Sequence, residues 1–272
     1  MYVIKADGRR EEFNERKVRQ TCTHAGATRD EANHIVEEIK KEIYDGITTR
    51  EIYKSIRDKL RQMNPISSRI YTLRESLSKI EPEAFEIYVY KLLISNGYKC
   101  EWNVIVKGAS VEHQIDIIAK KDKLYLVECK RHERYERFSG LKTILEIHSR
   151  IEDIKEGYKN GKTKYNFDKA WIITNTKFSD HAIKYAKDKN ILLTGWNYPH
   201  NNGIEHLITS KKLYPVTILN AKRAIEKSLM ENKIITINDL ISFDIHALCS
   251  KISISEKDAE DILNIARSIL NK

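Results

Sequence analysis

One stretch limits the folds open to this 272-residue chain more than any other: QIDIIAKKDKLYLVECKR, residues 114–131. Two apolar runs, 115–119 and 124–127, flank the polar segment Lys120-Lys121-Asp122-Lys123, a pattern that predicts a β-hairpin. Each strand carries an acid, Asp116 within the first and Glu128 at the end of the second. Side chains alternate along a strand, so Glu128 and Lys130 leave one face and Cys129 the other. A carboxylate on each strand with a lysine beside the second can hold a divalent cation and set an ammonium next to it.

The segments around the hairpin predict a sheet flanked by helices. Pro82 opens a helix over 83–96 with Phe85, Tyr88, Val89, Leu92 and Leu93 on one face, and Gly97 supplies its stop. Strands follow at 98–106, 114–119 and 124–130. Next comes a helix over 141–158 with Leu141, Ile144, Leu145, Ile151 and Ile154 inward. A strand at 170–175, a helix at 179–187 and a strand at 191–195 complete an order that makes a mixed sheet with helices on both faces. Ahead of this unit, 1–80 reads as a short strand at 2–5, an Asp7-Gly8 turn, and helices at 29–44 and 49–63. Thr49 is read as the N-cap of the second helix. Behind it, 213–272 reads as all helical. The expectation is a multi-domain α/β chain divided at 1–80, 82–212 and 213–272.

Charge separates these regions. The net charge is +4 over 1–80, +5 over 81–212 and zero over 213–272, so any polyanion footprint belongs to the first two thirds. In the middle region Lys130, Arg131, Arg134 and Arg137 alternate with Tyr135 and Phe138, a composition suited to a phosphate backbone. Gln114, on the strand face of Asp116, and His132, two residues past Lys130, are weaker site candidates; a surface position is expected for His132. Cys22, Cys100, Cys129 and Cys249 form no C-x-x-C pair, which argues against a zinc site or a disulfide framework. No apolar run reaches the roughly 18 residues a membrane span needs, and MYVIKADGRR lacks a signal-peptide core. A cytoplasmic protein without membrane contact is expected.

The N-terminal residues VIKADGRREEFNERKV, followed by YDGITTREI, resemble the ATP-cone, the nucleotide-sensing domain of ribonucleotide reductases and their repressors. The resemblance implies that Val3, Lys5, Glu11, Asn14, Lys17, Thr49 and Tyr53 line a site for ATP or dATP. It implies an allosteric effector and not a substrate, since the chain has no P-loop. One position departs: Ala6 stands where the family carries arginine. Losing a charged donor costs on the order of 1.5–3 kcal/mol, so weaker binding is expected unless Arg9 or Arg10 compensates.

Phe85-Glu86 and KLLISNGY, then IDIIA, LVECK and TKFSDHAIKYAKDKNILLTGW, resemble the Mrr-type nucleases of the restriction-endonuclease-like P-D-(D/E)-x-K superfamily over about 82–200. The resemblance implies a Mg²⁺- or Mn²⁺-dependent deoxyribonuclease. Asp116, Glu128 and the Cys129 backbone carbonyl would hold the metal. Lys130 would orient water or stabilise phosphate charge, and Glu86 would position a metal-bound water or a second ion. Arg131, Arg134 and Arg137 are the expected DNA contacts.

The tail ITINDLISFDIHALCSKISISEKDAEDILNIARSIL resembles a helix-hairpin-helix or SAM-like module. The hairpin glycine is missing from Lys251-Ile252-Ser253-Ile254-Ser255, so a protein-contact role stands beside DNA binding. The leading expectation is a nucleotide-regulated DNA endonuclease acting as a homodimer or higher homo-oligomer. The alternatives are a junction- or damage-specific repair nuclease, a non-catalytic nucleotide-sensing DNA-binding regulator, and a nucleotide-responsive scaffold.

Overall fold

A computed structural model describes residues 1–271 and divides the chain into two compact units. The first holds 1–76, 218–225 and the chain from 243 onward; the second holds 77–217 and 226–242. The expected tail 213–272 is thus shared between both.

The first unit opens with strands β1 (Tyr2–Ile4) and β2 (Arg10–Glu12), paired antiparallel with Tyr2 opposite Glu12. Gly8, at φ +82°, takes the left-handed turn position between them. Helices α1 (Glu15–His24) and α2 (Arg29–Glu42) follow, then β3 (Ile47–Thr48) parallel to β1 and α3 (Thr49–Met63). The amphipathic helices bury Val18, Cys22, Ile35, Val36, Ile39, Ile52, Ile56 and Leu60 around Val3 and Ile47 of the sheet. The N-cap of α3 is Thr48, not Thr49. Thr48 Oγ1 accepts from Glu51 N, and the Glu51 carboxylate accepts from Thr48 N, a reciprocal capping box. Short helix α4 (Pro65–Tyr71) follows, and α5 (Leu73–Lys79) runs across the division at 76.

In the second unit α6 (Pro82–Ser95) leads into a three-stranded antiparallel meander, β4 (Lys99–Lys107), β5 (Glu112–Lys120) and β6 (Leu124–Lys130). Beyond the short β7 (Phe138–Ser139), α7 (Leu141–Lys159) crosses to β8 (Lys169–Thr174). A two-residue β9 (Lys177–Phe178), α8 (Asp180–Asp188), β10 (Leu192–Thr194) and α9 (Ile204–Lys211) follow. The five main strands lie in the order β10-β8-β6-β5-β4. β4, β5 and β6 are antiparallel neighbours, while β6, β8 and β10 run parallel, so the sheet is mixed. Ile144, Ile147, Ile151 and Ile154 of α7 and Ala182 and Ala186 of α8 pack on Ile118, Leu126 and Ile172. Phe85, Tyr88, Val89, Leu92 and Leu93 of α6 are buried outside that cluster. Leu145, expected inward, is 42% exposed, and Ile147 takes its place in the core.

Helix α7 is pinned where it passes the β4–β5 connection. Asp153 accepts from Ser110 N at 2.9 Å and lies 2.7 Å from His113 Nε2. Gly157 lets the backbone of Gly108 approach so closely that a Cβ there would meet it at 2.7 Å. These contacts fix the helix above β5.

The tail continues through α10 (Arg223–Glu231), α11 (Ile237–Leu240), α12 (Ile245–Ile252) and α13 (Glu256–Leu270). In the second unit Asp239 pairs with Lys91 of α6 at 2.8 Å, Tyr88 donates to Leu213 O, and Lys233 lies over the Trp102 ring. In the first unit Lys222 pairs with Asp258 at 2.8 Å, and Arg69 donates to Leu219 O. Ser253, at φ 55°, adopts the left-handed conformation at the segment that lacks the hairpin glycine. Among the described residues no helix is long and apolar enough to cross a membrane.

Candidate active site

The hairpin opens where its acids lie. The β5–β6 ladder runs from Lys120↔Leu124 to Ile117↔Val127 and ends there, so the next facing positions, Asp116 and Glu128, mark a fork. The Asp116 carboxylate takes over from the ladder, with Oδ2 accepting from Cys129 N at 2.7 Å. The N–H and C=O of one strand residue point to the same side. The Cys129 carbonyl is therefore directed into the fork with Asp116. On its other side β6 stays paired with β8 as far as Lys130↔Thr174, so Glu128, Cys129 and Lys130 are held from one side and open on the other.

A second distortion faces Asp116 across β4. Trp102 pairs with Ile117 and Val104 with Ile115, but Asn103 between them sits at φ 54°, a left-handed conformation that Asn tolerates better than most residues. Gln114 Nε2 donates to Asn103 Oδ1 at 2.8 Å, which commits its amide to β4 and away from the carboxylates.

The electrostatics are those of acids crowded together. Burial pushes the Asp116 carboxyl up to about 6, and the nearby Glu86 charge adds to the rise while Arg150 and Lys130 oppose it. Glu128 is raised by burial and by Asp116, again against Arg150 and Lys130. Glu86, from α6, is raised by burial and by the charge of Glu128. The buried indole N–H of Trp102 makes no well-formed hydrogen bond but lies close enough to Glu86 to offset part of its rise. Arg150, on α7, was not among the expected site residues; its Nη1 donates to Glu128 Oε2 at 2.5 Å. The sequence held one sign of it: Arg150 falls between Ile147, Ile151 and Ile154 on the apolar stripe of α7, where a charge requires a partner.

No group of three or more His, Cys, Asp and Glu side chains among the described residues is arranged as a ready metal cluster. The fork offers two carboxylates and a backbone carbonyl. That oxygen-donor set suits a hard cation that retains several waters. The raised carboxyls fit it as well, because a cation offsets the burial and the mutual repulsion that raise them.

The remaining expectations divide. His132 is not a surface histidine: it is half-buried, its Nε2 lies 2.9 Å from Ser139 Oγ, and burial pushes its pKa down. Its backbone N–H donates to Asn175 Oδ1 while Asn175 Nδ2 donates to His132 O, which ties the end of β6 to the loop after β8. Arg131 is turned inward, donating to Ser78 O at 2.8 Å; Arg134 and Arg137 are exposed.

In the first unit Lys5 and Lys17 both converge on Glu11, with Lys5 Nζ 2.9 Å from Oε2 and Lys17 on Oε1. These two bonds hold the Glu11 carboxyl down at about 2. Asn14 caps α1, accepting from Lys17 N at 3.1 Å, and the buried Val3 lies opposite Glu11 in the strand pair. Thr49 starts α3 beside β1, and Tyr53 stacks on Tyr71 with ring centroids 4.8 Å apart. Arg9, one of two residues able to replace the charge missing at Ala6, pairs with Asp7 at 2.7 Å.

Comparisons with known proteins match three successive segments of the chain. Residues 1–75 match the ATP cone domain, 77–198 a restriction endonuclease domain of the Mrr catalytic type, and 214–270 the AF1548-like C-terminal domain. An uncharacterized protein of Archaeoglobus fulgidus is 36% identical over 181 residues, 66% of this chain and 98% of the relative. The crystal structure of AF1548, described as a protein of unknown function, aligns with a TM-score of 0.58 at 36% identity and covers 70% of this chain and 98% of that one. A transcriptional repressor NrdR of Caldicellulosiruptor saccharolyticus is 34% identical over 103 residues, 31% of this chain and 67% of the repressor.

Proposed function

Because the chain belongs to the AF1548-like family and joins an ATP cone to a restriction-endonuclease domain, we propose that it is a metal-dependent DNA endonuclease governed by ATP or dATP. The observation that carries this reading is the crowding of Asp116, Glu128 and Glu86 at the fork, each with its carboxyl pushed above its ordinary range. A protein gains nothing in stability from such a cluster. Perturbed acids gathered at one place are characteristic of a functional site.

Asp116, Glu128 and the Cys129 carbonyl hold Mg²⁺ or Mn²⁺ in this reading. The ion, when bound, polarises phosphoryl oxygens and acidifies water. Lys130, on the strand face of Glu128, places its ammonium beside the phosphate and stabilises the charge that gathers there as water attacks phosphorus. Glu86 accepts a hydrogen bond from the attacking water and orients it. Arg134 and Arg137 meet the DNA backbone from the loop after β6.

The cone acts as effector site. Lys5 and Lys17 are the donors for polyphosphate, and they exchange Glu11 for the nucleotide when it binds. Control of cleavage requires nucleotide to bind two states of the protein, differing in oligomerisation or domain arrangement, with unequal affinity. The likeness to NrdR repressors favours a second reading, a nucleotide-sensing DNA-binding regulator; the acid cluster has no use in it.

Supercoiled plasmid incubated with Mg²⁺ or Mn²⁺, with and without ATP and dATP, separates the two. Wild type is expected to nick or linearise it while Asp116→Ala and Lys130→Ala do not. Plasmid bound but intact under every condition establishes the regulator instead.

A further inference from the structure

Arg150 is the one charged side chain of α7 that reaches the fork, and its surroundings fix where it points. Ile147, Ile151 and Ile154 anchor the helix on the sheet, and Asp153 and Gly157 lock it to the β4–β5 connection. The guanidinium uses Nη1 alone: 2.5 Å to Glu128 Oε2 and 3.4 Å to Gln114 O. Nε and Nη2 have no hydrogen-bond partner among the described residues, and the side chain is 27% exposed. A guanidinium carries its donors in one rigid plane, and a free pair of them matches two oxygens of a phosphate.

The charge balance points the same way. Counting Asp116, Glu128 and Glu86 against Lys130 and Arg150 leaves the fork, with all its groups ionised, one negative charge in excess. A divalent cation turns that excess into one positive charge, the complement of a single phosphodiester. Without Arg150 the loaded site would be neutral overall and would hold an anion less strongly. The same Arg150 also holds the Glu128 oxygen that a cation needs.

We propose that Arg150 is a phosphate-binding residue of this centre, pairing with Glu128 while no divalent cation is bound and engaging the backbone phosphate of the substrate once one is. The inference rests on the nuclease reading. The contrasting role is purely positional, with Arg150 only orienting Glu128.

Two measurements on the full chain distinguish these roles: Mn²⁺ binding followed by electron paramagnetic resonance, and single-turnover plasmid cleavage at saturating Mn²⁺. Arg150→Gln removes a competing positive charge and frees Oε2, so Mn²⁺ is expected to bind about 3–10-fold tighter. Cleavage is expected to fall about 100-fold. Arg150→Lys keeps the charge without the fork; its Mn²⁺ affinity should stay near wild type while cleavage recovers only in part. Weaker Mn²⁺ binding in Arg150→Gln together with slower cleavage would make the residue a positioning group and overturn the proposal, as would unchanged cleavage. Wild-type protein that binds no Mn²⁺ and leaves DNA intact would bring down the nuclease reading, a result distinct from either.

Discussion

The two charged centres of this molecule are built on opposite principles. At the fork of the β5–β6 hairpin acids outnumber bases, and burial holds Asp116 up at about 6. In the cone two lysines close on one acid, and Glu11 is held down at about 2. In the nuclease reading the fork would be relieved by gaining a cation. In the cone Glu11 already pairs with both lysines, and in the proposed reading a nucleotide would take its place. A site can therefore be prepared for a ligand either by leaving its charge unbalanced or by balancing it with a group that can leave.

The contrast breaks most visibly at Lys130. Lys130→Ala is expected to lower single-turnover cleavage by roughly 10²–10³-fold with an unchanged far-ultraviolet spectrum. A rate equal to wild type would remove the fork from the chemistry.

Asp116 carries the next largest effect, read in metal-free protein with EDTA. Its folded pKa lies above the unfolded value near 4, so the folded state keeps a proton that the unfolded chain has lost. The share of stability that Asp116 carries should therefore fall as pH rises from about 4 to about 6, by on the order of 3 kcal/mol, and then level. Asp116→Asn retains an oxygen for the Cys129 N–H and should flatten that slope, which leaves the variant more stable than wild type at pH 7.5 in urea unfolding. A destabilised variant would mean that the ionised carboxylate is already compensated.

In the cone the sign reverses. Glu11→Gln frees Lys5 and Lys17 and is expected to tighten ATP binding about 3–10-fold in calorimetry, while Lys17→Ala weakens it about tenfold. Weaker binding in Glu11→Gln would show that Glu11 itself touches the nucleotide. The smallest effect belongs to Lys233→Ala, which removes a cation 5.7 Å from the centroid of the Trp102 ring and should cost roughly 0.5–1 kcal/mol, read as a lower urea midpoint.

Much of the fork was legible in the chain because it is local. Period-two alternation placed Glu128 with Lys130, and the hairpin turn brought Asp116 opposite. What escaped depends on contacts distant in sequence. Arg150 reaches Glu128 from 22 residues away; its place among the isoleucines of α7 marks a charge in need of a partner but does not name Glu128 as that partner. The left-handed Asn103 and the commitment of Gln114 to it arise only when β4 meets β5. His132 becomes half-buried because Ser139 and Asn175 fold back onto the end of β6. The Thr48 cap was readable, since Glu51 stands three residues after it; the adjacent Thr49 disguised it. The sharing of the tail between two units leaves no local trace, because its helices look alike wherever they pack.

Calorimetric titration of metal-free protein with Mg²⁺ at pH 7.5 tests most directly whether the fork is the unbalanced site. Wild type should bind Mg²⁺, and Asp116→Asn, with its fold intact, should bind at least about tenfold more weakly. Equal affinity in the two proteins would place the cation elsewhere and contradict the account.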